Sequence, residues 1–362
     1  MSKIKVIFSV ISIAILILII QSCAIKPLAW TPQTKPLFEG VTKLNDELAT
    51  VEKIDLGGWV GAEDIVFDRI GNLYCGVHKA QNDFSDGKIL KINPDGKIEI
   101  FYDAGSWVSG LHFDKLGNLI ALSHKEGLIS ISAEKKVTIL SSKDEKGRGF
   151  LIPNGLEMDS KQNIYFTNTS SASPYTIKYG RKLILEMKPN GGLYQYNPST
   201  KEVVTLIDGT YFGNGVAVSK DESFLLMVET TKYRILKYWL KGVNTGNTEI
   251  FIDNLHGFPN GISIREDGTF WLGFTTKRND ALDKIHPKPS MKKLVYGLPK
   301  WLQPKEDKFG MVMHLSETGT ILNAFFDSTG IAMPEAGSVK EQNGFLYMGG
   351  DNLPYIGKYR LK

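Results

Sequence analysis

"GFPNGISIREDGTFWLG", residues 257–273, reads as a strand, a polar turn and a second strand. Ile262 and Ile264 alternate with polar neighbours, Glu266–Thr269 forms the turn, and Phe270–Leu272 resumes the apolar run. The pattern recurs in both directions along the chain. "EDIVFDRIGNLYCGV" starts at Glu63, "SGLHFDKLGNLIALS" at Ser109, "NGLEMDSKQNIYFTN" at Asn154 and "NGVAVSKDESFLLMV" at Asn214. The first aliphatic positions, Ile65, Leu111 and Leu156, are spaced by about 45 residues, the period of a propeller blade. Each copy continues into two more strand-like pieces, as in "GKILKINPDGKIEIFYD". A sixth copy, "EAGSVKEQNGFLYMGG", has a shorter turn. "ATVEKIDLGG" and the last strand, "YIGKYRL", each lack a partner nearby, and pairing them closes a ring without free edges. The expected fold is all-β, a six-bladed β-propeller over residues 51–362. Two insertions, "TSSASPYTIKYGRKLILEMKPN" and "KRNDALDKIHPKPSMKKLVYGLPKWLQPKEDK", have room for short helices.

Composition agrees. The 36 glycines among 362 residues suit a fold of many tight turns. Net charge is +4, part of it from Lys3 and Lys5, and no basic stripe interleaved with aromatics exists, so nucleic-acid binding is excluded. Cys75 is the single body cysteine in this reading; it makes no internal disulfide and is expected to pack as a small hydrophobe. Trp239, Trp271 and Trp301 are expected in blade packing or a pocket wall.

The N-terminus reads as an export signal. "MSKIK" is followed by an apolar run, Val6–Ile20, which is short of the roughly 20 residues of a membrane span. "QSCAIKP" places Cys23 where a bacterial lipoprotein signal is cut and lipidated; an uncleaved anchor is the alternative. Residues 1–22 are thus expected as signal peptide and 23–50 as a tether spaced by Pro27, Pro32 and Pro36. The body would lie in the cell envelope, periplasmic or on the outer membrane, held to a bacterial membrane through Cys23.

The residues that open the repeats form a column: Glu63, Ser109, Asn154, Asn214, Asn260 and Gly337. Innermost strands line a propeller's channel, so these side chains should converge. One carboxylate and three amides make an oxygen-rich cage suited to one divalent cation, Ca²⁺ first. Alternatively they hydrogen-bond one another and channel water, or the Asn-Gly pairs are turn devices tolerant of positive φ.

At these residues the sequence resembles the six-bladed propellers of the calcium-dependent phosphotriesterase superfamily. That superfamily holds gluconolactonases, paraoxonases and strictosidine synthases, and the nearest likeness is to the adipocyte plasma membrane-associated branch. "PLFEG", "GAEDIVFD", "IYFTNTSSA", "VETTKYRILKYWL", "NLHGFPNGI" and "GFLYMGG" carry it. The resemblance implies a channel metal, usually calcium, held by Glu63, Asn154, Asn214 and Asn260, which polarises a lactone or ester carbonyl. Asn260 stands where paraoxonases and gluconolactonases carry an aspartate, which removes the obvious base. Asp64 matches a residue that helps hold a second calcium in paraoxonases, but its partner position is Gly155, so no second metal is expected. Strictosidine synthases carry an acid/base glutamate where Gly337 stands, with Glu335 two residues earlier, so their condensation chemistry is not expected. His124 and His78 are candidate bases, with His256 beside them. No serine-hydrolase elbow or zinc-peptidase motif occurs. The expected function is metal-dependent hydrolysis of a small lactone or other ester. The alternative is a non-catalytic propeller that binds a small ligand or a protein and keeps a relic metal site.

Overall fold

The computed structural model describes residues 22–81, 83–304 and 306–362. The apolar run Val6–Ile20 lies outside them. Six four-stranded antiparallel sheets are arranged as the blades of a six-bladed β-propeller. Blade six combines Ser338–Gln342, Phe345–Gly349 and Tyr355–Arg360 with the N-terminal strand Glu52–Asp55. The closing pair runs antiparallel from Glu52 opposite Lys358 to Asp55 opposite Tyr355.

Burial grades outward within each blade. The innermost strands Val60–Phe67, Gly213–Val218 and Gly257–Ile264 are almost wholly buried, whereas the outer strands Ile98–Asp103 and Thr248–Ile252 are largely open. The core therefore consists of layers between blades. One layer gathers Phe258, Phe270, Phe274, Met311 and Phe326. Cys75 is fully buried in another, and burial pushes its thiol up to about 12. The Asp–Asn pattern in the first three repeats is structural. Asp68, Asp114 and Asp159 each take main-chain N–H groups two and four residues on, and also the side-chain amide of Asn72, Asn118 or Asn163. This closes the first hairpin of each blade.

The insertions form helices, both in connections from a second to a third strand and hence at one end of the channel. Blade three supplies α1, Ile177–Glu186, capped by Thr176, whose hydroxyl accepts from Tyr179 N–H at 3.1 Å. Blade five supplies α2, Asp280–Ile285, and α3, Pro289–Gly297. α1 and α3 pack together as a canopy. The segment after Cys23 lies against it. Lys26 N–H donates to Glu186 Oε1 at 2.7 Å, Leu28 N–H to Glu186 O at 2.9 Å, and the buried Lys292 Nζ to Leu28 O at 2.8 Å. Further on, Arg278 reaches Gln33 O and the His256 ring reaches Leu37 O.

Candidate functional site

Each column residue with a polar side chain long enough to reach the axis sits in a β-bulge. Register shifts fall between Gly61 and Ile65, Pro153 and Leu156, Gly213 and Val216, and Pro259 and Ile262. Glu63, Asn154, Asn214 and Asn260 occupy those gaps, where a bulge re-aims a side chain. In blade one the backbone passes through φ of 76° at Ala62 to present Glu63. All four residues are buried and line one axial cavity.

This explains the Asn-Gly pairs, and not through a left-handed turn. Gly155, Gly215 and Gly261 are absent from the positive-φ residues. They are small because the next blade is close. A Cβ on Gly155 would lie 2.6 Å from Asn214 O, one on Gly215 2.7 Å from Asn260 O, and one on Gly261 2.8 Å from Gly337 O. At the sixth position the neighbour is a side chain instead: a Cβ on Gly337 would meet Asn260 Nδ2 at 3.0 Å.

Hydroxyl groups that the column did not reveal orient the amides. Asn154 Nδ2 donates to Thr169 Oγ1 at 3.4 Å, Asn214 Nδ2 to Thr230 Oγ1 at 3.1 Å, and Asn260 Nδ2 to Thr275 Oγ1 at 3.1 Å. Thr169 in turn donates to Gly213 O at 2.6 Å, and Thr230 to Pro259 O at 2.8 Å. Those carbonyls belong to the residues before Asn214 and Asn260. Ser109 donates to Pro153 O at 2.5 Å and Ser338 to Ala62 O at 2.8 Å, completing the same relation for Asn154 and Glu63. With the NH₂ groups tied back, the three amide oxygens are left as acceptors.

Electrostatics divides the site in two. At the mouth, burial first and then the charges of Asp351, Glu335 and Asp64 push the Glu63 carboxyl well above the carboxylate range. Glu335 is raised as well, by burial and then by Asp351. Glu63 Oε2 and Asp351 Oδ1 are buried and accept from no N–H or hydroxyl donor, and the Glu63 carboxyl is hydrogen-bonded to that of Asp351, which raises it further. Below the ring the charges are balanced. His112 Nε2 meets Glu157 Oε1 at 2.9 Å, and Lys340 adds positive charge. Glu157 drops to about 2, because His112 and Lys340 outweigh its burial. Asp64 rises to about 6 by burial, although it accepts from Leu111 N–H at 2.9 Å.

The mouth is roofed by aromatic rings. Phe84 lies 4.4 Å from Trp107 and 4.5 Å from His78, centroid to centroid, and Trp107 lies 4.9 Å from His124. Tyr175, from the blade-three insertion, covers Phe84 and Trp107, and its phenol feels Asp351, Glu306, Glu63 and Glu335. Both histidines proposed as bases are here. His78 has each ring nitrogen against a main-chain carbonyl, Ala80 at 2.8 Å and Asp351 at 2.6 Å. Burial depresses His124 to about 3. His256 is bound to the Leu37 carbonyl.

The fit to a divalent ion rests on the donors. Among the described residues no group of three or more His, Cys, Asp or Glu side chains is placed to hold a metal. One orphaned carboxylate oxygen with three amide oxygens is a different, hard-oxygen set, and it suits a hard cation better than a transition metal. The axial cavity of about 40 Å³ has room for an ion or waters, not a substrate. Substrate-sized space lies under the canopy, where α1–α3 enclose about 510 Å³. Phe258 and Thr276 line that space from the strands that carry Asn260 and Thr275.

A six-bladed propeller whose axis gathers one carboxylate and three oriented amides defines a class of oxygen-lined axial-site propellers. Within it, the chain belongs to the strictosidine synthase-like family. The strictosidine synthase model matches residues 154–243 and the strictosidine synthase-like N-terminal model matches residues 40–92. The adipocyte plasma membrane-associated protein of Gallus gallus is 30% identical over 95% of this chain and 86% of its own length. Among solved structures, a gluconolactonase of Xanthomonas campestris superposes with a TM-score of 0.61 at 15% identity, covering 93% of this chain and 98% of that one. Regucalcin of Agrobacterium tumefaciens, described as a calcium-binding protein, superposes with a TM-score of 0.59 at 13% identity, covering 86% and 93%. At such identities these two show the fold alone.

Proposed function

We propose that the protein is a metal-dependent hydrolase of lactones or other small esters. One divalent cation, Ca²⁺ first, would be held by Glu63, Asn154, Asn214 and Asn260. When bound, such a cation supplies Lewis-acid polarisation of an ester carbonyl. The observation that carries the reading is the Glu63 oxygen that accepts from no N–H or hydroxyl donor, buried among further carboxyls and beside three amides whose NH₂ groups are tied away from the axis. The chain's own contribution is to keep those oxygens in place and to exclude water with Tyr175, Phe84 and Trp107. Glu335, at the mouth and raised to about 8 by burial and then by Asp351, holds a proton more readily than His124, which burial depresses to about 3, and takes the place of a histidine base. The attachment proposed with this function is lipid on Cys23, which is exposed, and residence in a bacterial cell envelope.

One observation favours a ligand-binding propeller without turnover: the mouth histidines are spent on carbonyls or held neutral, and Asn260 is an amide. Two measurements separate the readings. Calcium titration followed by thermal unfolding reports binding to the folded form. A panel of lactones and aryl esters, with and without chelator, reports turnover. Hydrolysis that vanishes with chelation and in Glu63→Gln supports the hydrolase; calcium stabilisation without turnover supports the binding module. Full turnover by Glu63→Gln overturns the mechanism.

A further inference from the structure

We propose that the canopy is a bilayer-docking face. Its large apolar side chains stand in water: Trp301 is 78% exposed, Leu302 49%, Leu28 47%, Leu294 41% and Met291 40%. Met291 and Leu294, three residues apart on α3, share one helix face. Lys292 between them turns inward, and its bond to Leu28 O sets Leu28 alongside that helix. Gln303 Nε2 donates to Leu298 O at 2.7 Å and folds the turn bearing Trp301 and Leu302 back onto the end of α3. Elsewhere Ile70, Leu116 and Val243 sit on separate hairpin tips, Ile331 on a loop, and Leu37, Val41 and Leu44 further along the N-terminal segment.

Two observations select a lipid surface over a protein partner or a second copy. First, the fringe is mostly basic. Lys26, Lys178, Lys288 and Lys293 are exposed around these side chains, α3 carries no acidic residue, and of the nearby acids Asp280 pairs with Lys35, Asp283 with Arg278 and Asp307 with Lys277. Apolar side chains ringed by lysines, with a tryptophan at the tip, match the boundary of a bilayer that contains anionic headgroups. Second, the chain enters at this edge. Lys26 and Leu28 are tied to the end of α1, Cys23 lies exposed just before them, and the apolar run Val6–Ile20 precedes it in sequence. The inference rests on the membrane attachment proposed above and adds which face meets the lipid. Pro299, Gln303 and Pro304, which flank Trp301, line the 510 Å³ cavity, so docking would bring that cavity to the lipid boundary.

The test uses the full chain in phosphatidylcholine–phosphatidylglycerol vesicles with brominated acyl chains. Bromine near the boundary should quench part of the tryptophan emission, and Trp301→Phe should lose most of that quenchable part, because the other five tryptophans stay in the propeller and strap. Glu63→Gln should be quenched like wild type whatever its turnover, which keeps this result separate from the hydrolase reading. A chain that floats with vesicles while Trp301→Phe is quenched as much as wild type overturns the docking face alone. A chain that fails to float overturns the attachment as well. Conversion of a wild-type dimer to monomer by Trp301→Asp in detergent would assign the patch to self-association and overturn the proposal.

Discussion

Asn214 and Thr230 are joined so that each fixes the other: the amide donates to the hydroxyl at 3.1 Å, and the hydroxyl donates to Pro259 O at 2.8 Å. Because Pro259 precedes Asn260, the hydroxyl of blade four sets the backbone that aims the axial residue of blade five. Thr169 repeats the relation from blade three to blade four. The cage is thereby built from cross-blade links as well as from the four side chains that face the axis.

Thr230→Val keeps the shape and removes the link. It leaves a buried carbonyl and a buried amide without partners, at a cost of about 1–3 kcal/mol. Calcium affinity should fall by about 10-fold or more, the usual penalty for losing an orienting partner. Thr230→Ser should restore both. Calorimetric titration and thermal melts of the two variants check this, and unchanged calcium binding in Thr230→Val would remove the positioning role.

Glu63→Gln should act in opposite directions without and with calcium. The folded protein raises this carboxyl, so above the ordinary pKa of about 4.3 its ionised form is penalised and the penalty grows with pH. Neutral glutamine escapes that, and the metal-free variant should melt higher than wild type at pH 8, with a gap that widens as pH rises. Added calcium should stabilise wild type and leave the variant unmoved. Scanning calorimetry with chelator and then with calcium reads both signs.

The repeats carried much of this. Period-two patterning that recurs at about 45 residues, lengthened by two insertions, was enough to place six blades, the closing strand pair, and Glu63, Asn154, Asn214 and Asn260 around one axis. The reason for Pro-Asn-Gly was not legible, because it depends on a neighbouring blade's carbonyl standing where a Cβ would go. Thr169, Thr230 and Thr275 could have been found, since each lies at or near the end of a second strand, 15 or 16 residues after its Asn. Asp351, Glu306 and Tyr175 could not, because they lie in loops outside the repeating pattern. Trp301 follows the same rule: its exposure belongs to an insertion whose packing no repeat constrains.

The close approach makes Gly215→Ala a sharp test of that steric reading. Its Cβ would lie 2.6 Å from Ile262 N and 2.7 Å from Asn260 O, both backbone atoms that cannot rotate aside. A destabilisation of about 3 kcal/mol is expected, the upper end for overpacking. Gly96→Ala is a poor control because its φ is 84°, so Ala217→Gly, in the same strand, serves for composition. Denaturant melts that place Gly215→Ala within experimental error of wild type would remove the steric reason for the Asn-Gly pairs.

The ion pair below the ring predicts a pH window. Glu157 is depressed to about 2, so its contribution is complete above its unfolded value near 4.3 and lost as pH falls toward 2. His112 is raised, because Glu157 outweighs the burial that would lower it, so its contribution is complete below about 6.5 and lost as pH rises through the folded value. The pair therefore supports the fold most between about pH 4.5 and 6.5. Asp64 works the other way: raised to about 6, it penalises the fold above that pH and releases the penalty on acidification toward 4. Glu157→Gln should cost about 2 kcal/mol, the scale of a hydrogen bond to a charged group, with the largest gap from wild type inside that window. Removing the carboxylate should also bring the His112 titration down. Melts across pH together with NMR titration of the imidazole test both statements, and an unshifted His112 in the variant would mean that Lys340, not His112, is the partner that matters to Glu157.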